Sequence, residues 1–347
     1  MAVVLIEGFD HLTAAQMPLK GWVAGGTAYV NTTGRLSGQA ARMSVSSNLV
    51  HAVWTKTLPS SYATLVGGFA FRTNVGTNTT THSIFQLLGP SNAGAAVQLR
   101  TDNKLQILST FTGGVIATGT TVLIQNVWYY IELKCFINVG TPASGSCELH
   151  LNGVAGEIAS TVGNFGANAH TVCRIGQNTD FNAGTINEDF DDIYVLDTSG
   201  SFNNDFEGDM RVETLYPSGD GAHTDWAPNT GTTHFNLVNQ VATDDDTTYV
   251  SSATPGQRDL YTVPALSALA GKVAGVQVNL YARKDDANTR QISTVIRQAG
   301  TDYDGTPGAA LSTSYTETSQ VYPLDPTGAQ WTINTVNTNQ YGVKEVA

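Results

Sequence analysis

The sequence predicts an all-β protein made of two sandwich domains. Strand patterns recur about every ten residues with clusters of turn residues between them, which is the spacing of a sandwich or jelly roll. The 347-residue chain contains 35 glycines, and charged residues make up only 13% of it, so helix-forming glutamate and lysine are scarce. Because a single core seldom supports a chain of this length, we expect two domains.

The first domain is predicted over residues 1–198. Each of its strands combines β-branched or aromatic residues with flanking turn residues, and no amphipathic helical period interrupts the series. The predicted strands are Ala2–Phe9, Ala40–Val45, Val50–Leu58, Ala63–Thr73, Ile84–Leu88, Ala96–Thr101, Lys104–Ser109, Val115–Ala117, Thr121–Ile124, Trp128–Val139, Cys147–Leu151, Val172–Ile175 and Asp189–Asp197. Within them, the Gly67-Gly68 pair predicts a bulge or a close approach of the backbone.

A polar linker and a second domain follow. Serine, glycine and asparagine are concentrated in residues 199–208, which predicts a linker, and a smaller β-sandwich domain is predicted over residues 209–347. Its predicted strands are Met210–Tyr216, His234–Asn236, Thr247–Ser251, Gln257–Thr262, Val273–Arg283, Arg290–Gln298, Ser314–Tyr322 and Trp331–Asn334. One short helical turn is expected at Pro264.

The formal net charge of −12 argues against partners that are held through phosphate groups. The 17 lysines and arginines are outnumbered by 29 acids and are not clustered, so neither a nucleic acid nor an anionic membrane is expected as a partner. The apolar run near the N-terminus is broken at Glu7 and has no basic flank, which predicts a strand and no signal peptide. No apolar run approaches bilayer-spanning length, so membrane insertion is not expected.

The three cysteines do not form a closed set of disulfides. If Leu133 lies opposite Leu149 in a hairpin, then Cys135 lies opposite Cys147. That register allows a cross-strand disulfide, but we favour two buried thiols in a reducing compartment. A structural role is expected for Cys173.

Three segments of the first domain carry a family resemblance. They are IEGFD at Ile6–Asp10, the pair WYYIEL and CELHLNG within Trp128–Gly153, and FDDIYVLD at Phe190–Asp197. On these residues the domain resembles the concanavalin A-like lectin/glucanase superfamily in its laminin-G-like form. The resemblance implies a jelly-roll sandwich with a long hairpin at the tryptophan strand, closed by a strand that brings the domain ends together.

The order of motifs after the linker extends the resemblance to nearly the whole chain. FDDIYVLDTSG is followed by FEGDMRVETLYPSGDGAHTDW and later by DDDTTYV, ARKDDANTR, GTDYDG and GVKEVA. This combination resembles a family of structural proteins of tailed-bacteriophage particles, in which a lectin-like domain carries a second β domain. The resemblance implies a virion component that is assembled in the host cytoplasm, on either the head or the tail.

Glycoside hydrolysis requires two carboxylates across a cleft, about 5–9 Å apart. The best candidate segment is Glu188 to Asp192, where strand alternation places Glu188, Phe190 and Asp192 on one face. A phenylalanine thus stands where the middle acid is needed, while Asp189 and Asp191 share the other face without a third acid. We therefore expect these acids to cap turns and to accept hydrogen bonds from backbone amides. No enzymatic activity is expected.

Calcium binding is the second chemical hypothesis, because calcium prefers several oxygen ligands from one loop. Asp244-Asp245-Asp246 is the densest run of acids, and Asp302 and Asp304 in TDYDG resemble part of a calcium loop. Neither segment completes the EF-hand pattern. The candidate calcium ligands are Asp244, Asp246, Asp302 and Asp304, with solvated turns as the alternative, and no other cofactor is expected.

The function predicted from the sequence is that of a non-enzymatic structural protein of a tailed-phage virion. It would be a capsid decoration, head-fibre or tail-fibre protein that docks on other virion proteins with one module and displays the other. Homo-oligomers, trimers among them, are expected because contacts between copies can bury exposed strand edges. The alternative is a receptor-binding module that recognises a host surface glycan, and a glucanase-like depolymerase is the third hypothesis.

Overall fold

The computed structural model describes residues 3–26, 28–31, 33–45, 51–74, 80–177, 186–267 and 271–347. Regular structure in these ranges is almost entirely β-strand, as the sequence predicts. The chain separates into two compact units, residues 1–212 and 213–347. Two predicted strand ends, Ala2 and Val50, lie outside the described residues. In the described ranges, no helix is long and apolar enough to cross a membrane.

The first unit is a sandwich of two antiparallel sheets. Its strands are β1 (Val3–Glu7), β2 (Trp22–Gly26), β3 (Ala28–Asn31), β4 (Ala40–Val45), β5 (Ala52–Tyr62), β6 (Thr64–Thr73), β7 (His82–Leu88), β8 (Gly94–Leu99), β9 (Lys104–Ser109), β10 (Val115–Val122), β11 (Tyr129–Phe136), β12 (Gly145–Leu151), β13 (Val154–Gly163), β14 (His170–Gln177) and β15 (Ile186–Asp197). The first sheet has the order β13-β12-β11-β6-β15-β4-β3, with β1 paired to β15, and the second has the order β10-β9-β8-β7-β14-β5-β2. Short 3₁₀ turns cover Pro90–Asn92 and Pro142–Ser144.

The core of this unit lies between the two sheets, where the pleat directs alternate side chains inward. Phe69 of the first sheet stacks on Phe85 of the second, with 4.5 Å between ring centroids. Phe190 is fully buried beside Phe71, at 5.4 Å. Trp54, from the second sheet, belongs to the same buried cluster. Aromatic rings from both sheets therefore provide much of the apolar area that holds the sandwich together.

The predicted close approach at Gly67-Gly68 is confirmed. A Cβ on Gly67 would lie 2.6 Å from the ring of Phe85, and one on Gly68 would overlap the ring of Tyr194. The two glycines lie on opposite faces of β6, so an aromatic ring covers the backbone from each side. Only glycine leaves room for both rings.

Replacing Gly67 with alanine is expected to lower the free energy of unfolding by about 1–3 kcal/mol, because the new methyl group must displace the buried Phe85 ring. Chemical denaturation of both proteins measures the change. Gly140→Ala is the matched control, since the nearest atom to its new Cβ is Asn138 Oδ1 at 3.7 Å, and its cost should stay within about 0.5 kcal/mol. Equal midpoints for the two variants would contradict the packing described for Gly67.

The predicted hairpin between the tryptophan strand and the returning strand is also confirmed. β11 pairs with β12 in the expected register, so that Leu133 lies opposite Leu149 and Cys135 lies opposite Cys147. All three cysteines are buried free thiols, which agrees with the outcome favoured from the sequence.

Residues 199–208, predicted to be a linker, belong to the first unit. Phe206 and Met210 pack on the outer face of the first sheet against a cluster that includes Tyr130 and Leu196. The backbone amides of Glu207 and Gly208 donate to the buried carboxylate of Glu132, each at 2.9 Å. This segment therefore covers one outer face of the sandwich.

The second unit contains a five-stranded sheet and two short two-stranded sheets. Its elements are β16 (Gly219–Thr224), β17 (Ala227–Pro228), β18 (Val250–Ser251), β19 (Arg258–Thr262), β20 (Val276–Ala282), β21 (Ile292–Gln298), β22 (Thr301–Asp304), β23 (Thr316–Tyr322), β24 (Gln340–Glu345), the helix α1 (Ile333–Thr338) and a 3₁₀ turn at Phe235–Leu237. The large sheet has the order β16-β19-β24-β21-β22, while β17 pairs with β18 and β20 with β23. Val278, Ile296 and Trp331 lie in the core of this unit.

Three strands predicted for the second domain are wrong. Met210–Tyr216 forms no strand, His234–Asn236 overlaps the 3₁₀ turn, and Trp331–Asn334 runs into α1. In the last case Thr332 caps the helix, because its side chain accepts the amide of Thr335. Local hydrogen bonds of this kind compete with strand pairing, and the pattern of apolar residues in the sequence does not reveal them. The helical turn expected at Pro264 does not form.

Candidate functional site

The acids between Glu188 and Asp192 do not line an open cleft. Glu188 is 2% exposed and lies 2.5 Å from Nε2 of the buried His82, while Phe190 is in the core. Burial alone would lower the pKa of His82, but Glu188 raises it above its ordinary value. A polysaccharide cannot reach a carboxylate enclosed in this way, so the structure does not support the glucanase hypothesis at Glu188.

Asp189 is the centre of an ion-pair network on the outer side of the first sheet. Its carboxylate accepts hydrogen bonds from Arg42 at 2.6 Å, Arg72 at 2.6 Å and Asn74 at 2.9 Å. Burial alone would raise the pKa of Asp189, but the bonds from its neighbours hold it below its ordinary value. Arg72 also lies over the ring of Trp128, 4.6 Å from its centroid. The two arginines join β4 and β6 to β15 through this carboxylate, which indicates a structural role.

Asp191 and Asp192 form a bulge in β15. Asp192 has a positive φ of 51°, and the pairing with β6 shifts between Asp191 and Tyr194. The Asp191 carboxylate accepts the amide of Arg35 at 2.7 Å, and the Asp192 carboxylate accepts the amide of Val212 at 2.8 Å. These acids therefore bind backbone amides, as the sequence predicts.

The electrostatics of this acid pair are set by burial. Burial raises the pKa of both Asp191 and Asp192, and repulsion from Asp192 raises that of Asp191 further. Arg35 offsets part of this cost through its 3.3 Å contact with Asp192. No group of three or more His, Cys, Asp or Glu in the described ranges is arranged to hold a metal ion. We therefore assign no metal to these carboxylates.

The four candidate calcium ligands belong to two segments of the second unit and have protein partners. The Asp244 carboxylate accepts a hydrogen bond from the Thr248 hydroxyl at 2.7 Å, and the Asp246 carboxylate forms an ion pair with Arg283 at 2.8 Å. On β22, the Asp302 carboxylate lies 2.9 Å from Nε2 of His223 and also contacts Arg297, whereas Asp304 contacts Arg258 and Lys344. Three of the four are thus neutralised by cationic side chains. Calcium binding at these residues stays a prediction.

The outer face of the second sheet carries a row of polar side chains that sequence reasoning missed. We call it the amide face and define it by Thr55, Ser83, Gln86, Gln98, Gln106 and Arg174. Strand pairing aligns these residues, since Arg174 lies opposite both Thr55 and Gln86, and Gln98 lies opposite both Ser83 and Gln106. Their sequence neighbours, such as Phe85, Val97 and Ile175, face the core.

Hydrogen bonds fix the side chains of the amide face. Arg174 donates through Nε to Thr55 at 3.1 Å and through Nη1 to Oε1 of Gln86 at 3.3 Å. Gln106 donates to Oε1 of Gln98 at 2.7 Å. Gln86 and Gln106 are only 3% and 6% exposed although they point away from the core, so the row is recessed. Fixed amides and a guanidinium form a rigid array of donors and acceptors.

The amide face is cationic in a chain whose formal net charge is −12. The outward positions of β5, β7, β8, β9 and β14 include Arg174 and Lys104 and no carboxylate. Burial lowers the pKa of Arg174, as expected for a partly desolvated guanidinium, which stays protonated at neutral pH. The strands that form this face thus present cationic and neutral side chains, while the nearest acid of the β8–β9 turn, Asp102, is paired with Arg100.

No protein-family model and no curated protein matches the chain. Solved structures resemble it over about half its length. An endo-β-1,4-glucuronan lyase from the fungus Trichoderma reesei is 13% identical, with a TM-score of 0.40, over 51% of this chain and 92% of its own. The cellulose-induced protein Cip1 is 11% identical, with a TM-score of 0.43, over 55% and 96%. An alginate lyase from Aplysia kurodai is 11% identical, with a TM-score of 0.41, over 56% and 98%. At these values the likeness concerns the fold alone.

These neighbours correct the function predicted from the sequence. Two of the three are polysaccharide lyases and none is described as a virion component, so the prediction of a non-enzymatic tailed-phage structural protein is wrong. The motifs that suggested it, such as FDDIYVLD, mark strand pairing and a bulge, and features of that kind identify a fold more readily than a function.

Proposed function

We propose that the first unit binds an acidic polysaccharide on the amide face. The observation that carries the proposal is the contact of Arg174 with Gln86 in a recessed polar row free of carboxylates. A guanidinium beside an amide can bind the carboxylate of a uronic acid through charge-assisted hydrogen bonds. The partly exposed Gln98 beside them can bind a ring hydroxyl, because its amide both donates and accepts.

The shape of the face also suits an extended polymer. The amide face consists of two cross-strand rows, Thr55, Arg174 and Gln86 in one and Ser83, Gln98 and Gln106 in the other. Because adjacent strands lie about 5 Å apart, each row offers polar groups at a spacing comparable to that of consecutive sugar units. A polymer lying across the strands can contact several of these groups at once.

Cleavage by β-elimination is the reaction to test together with binding. In that reaction a base removes the proton at C5 of a uronate, the electron pair left at C5 forms a C4=C5 double bond as the C4–O bond breaks, and the departing oxygen takes up a proton. Arg174 would stabilise the carboxylate while its charge grows. The cross-strand neighbours of Arg174 and Gln86 are Thr55 and Ala96, which are not suited to act as the base, so the geometry supports binding more directly than elimination.

The proposal predicts that native electrophoresis through gels containing alginate or polyglucuronate retards the intact protein, and that Arg174→Ala weakens binding by about tenfold or more. Gln86→Ala should weaken it less, because it removes only the acceptor that positions Arg174 and leaves the guanidinium in place. Arg211→Ala removes an exposed arginine elsewhere in the same unit and is the matched control. Thermal unfolding checks that each variant is folded.

Two results would count against the proposal. One is migration unaffected by every uronate polymer, and the other is equal retardation of the wild type and Arg174→Ala. Incubation with the same polymers, followed by ultraviolet absorbance of unsaturated uronates, shows whether bound polymer is also cleaved.

A further inference from the structure

A pair of stacked tyrosines lies on the surface of the second unit. The rings of Tyr281 and Tyr315 are parallel to within 4°, with 4.7 Å between their centroids. The guanidinium of Arg283 lies over Tyr315, 5.5 Å from the ring centroid. We call this group, together with Asp245 and Asp246, the tyrosine ledge.

Strand alternation explains why the ledge points outward. Val278 and Leu280 of β20 face the cores of the second unit, so Tyr281 lies on the opposite face of the strand. β20 pairs with β23 so that Tyr281 lies opposite Glu317 and Ala282 lies opposite Thr316. This register places Arg283 and Tyr315 beside Tyr281. The ledge is therefore not part of either hydrophobic cluster.

Hydrogen bonds hold the ledge in one conformation. The Tyr281 hydroxyl donates to Asp245 at 2.9 Å, and the Tyr315 hydroxyl donates to Oδ1 of Asp246 at 2.8 Å. Arg283 donates to the same Oδ1 through Nε at 3.0 Å and Nη2 at 2.8 Å. The other carboxylate oxygen of Asp246 receives none of these bonds, and its side chain is 62% exposed. This second oxygen of Asp246 is thus a hydrogen-bond acceptor next to two rings whose positions are fixed.

The ledge combines the groups that recognise a sugar ring. The ring face of Tyr281 that is turned away from Tyr315 can pack against the C–H face of a pyranose, while carboxylates and guanidinium groups bind its hydroxyls in fixed directions. A group whose side chains are already ordered loses little conformational entropy on binding.

Charge selects the class of sugar. The carboxylates of Asp245, Asp246 and Glu317 lie around the pair, and Arg283 is the cation that contacts it. An anionic polymer would be repelled here, whereas the amide face of the first unit is cationic. We propose that the tyrosine ledge is a second carbohydrate site, which binds a neutral saccharide chain independently of the amide face.

The test uses the full chain in native gels that contain a soluble neutral polymer: a mixed-linkage β-glucan, a galactomannan or dextran. At least one of them should retard the wild type. Tyr281→Ala and Tyr315→Ala should each bind it about tenfold more weakly or worse. Phe202→Ala removes a ring that is 42% exposed in the first unit, and it should migrate as the wild type does. Arg174→Ala should also leave binding of the neutral polymer unchanged.

Loss of binding must be separated from loss of folding. Tyr281→Phe keeps the ring and removes only the hydroxyl bond, so it should retain most of the retardation. If an alanine variant unfolds, tyrosine difference absorbance of the wild type titrated with the matching oligosaccharide is measured instead. The proposal is overturned if no neutral polymer retards the wild type, if the titration shows no tyrosine signal, or if the folded alanine variants bind normally. Loss of neutral-polymer binding in Arg174→Ala would refute the independence of the two sites.

Discussion

Replacing Asp189 with alanine is expected to lower the free energy of unfolding by about 3–5 kcal/mol, because it leaves two partly buried guanidinium groups without their common partner. The Asp189 side chain is 1% exposed, and Arg42 and Arg72 both contact it at 2.6 Å. Urea denaturation at neutral pH measures the loss. Asp205→Ala is the matched control, since its pair with Lys134 is exposed and should contribute at most about 1 kcal/mol.

The same variant has an expected pH dependence. The folded-state pKa of Asp189 is lowered, so the stability it supplies is fully present above its unfolded pKa and is lost as pH falls through the folded value. The difference in stability between the wild type and Asp189→Ala should therefore shrink in acid. A gap that stays constant or widens toward low pH would show that the carboxylate is not ionised in the fold.

Replacing Phe190 with alanine is expected to cost about 3–5 kcal/mol, the range for removing a buried aromatic ring and leaving a cavity. Phe190 is 0% exposed and packs against Phe69 and Phe71, with centroids 6.2 and 5.4 Å away. The unfolding midpoint in urea gives the change, with an unchanged dependence on denaturant as the sign of an intact fold. Phe202→Ala, at an exposed ring, should change stability little. A loss below about 1 kcal/mol at Phe190 would disprove its place in the core.

Phe190 illustrates what strand patterns can predict. Alternation places Phe190 apart from Asp189, and the structure shows one in the core and the other on the outer side. The register of Cys135 opposite Cys147 follows from the same periodicity. Alternation fails at Asp192, because the bulge turns two successive acids away from the core. A bulge depends on the partner strand, which a single sequence does not specify.

The amide face could not be predicted for a different reason. Gln86, Gln98 and Gln106 lie on separate strands, and in the sequence each one is only a polar residue in an alternating strand pattern. Their alignment depends on pairing between strands, and Arg174 joins them from 68 residues beyond Gln106. The resemblance to phage proteins rested on local motifs that report turns and strand ends. A function depends on side chains that become neighbours only when the strands pair, and local motifs do not report these neighbours.

The covering of the first sheet by Phe206 and Met210 determines where the first module can be cut. A fragment that stops at residue 198 would lose both side chains and uncover Val66, Ala70 and Leu196, an apolar patch of the kind that promotes aggregation. It would also remove the amides that bind Glu132. The shortest fragment suited to independent expression therefore extends to Val212. Residues 199–208, which the sequence predicts to be a linker, belong to the segment that covers the outer face of that sheet.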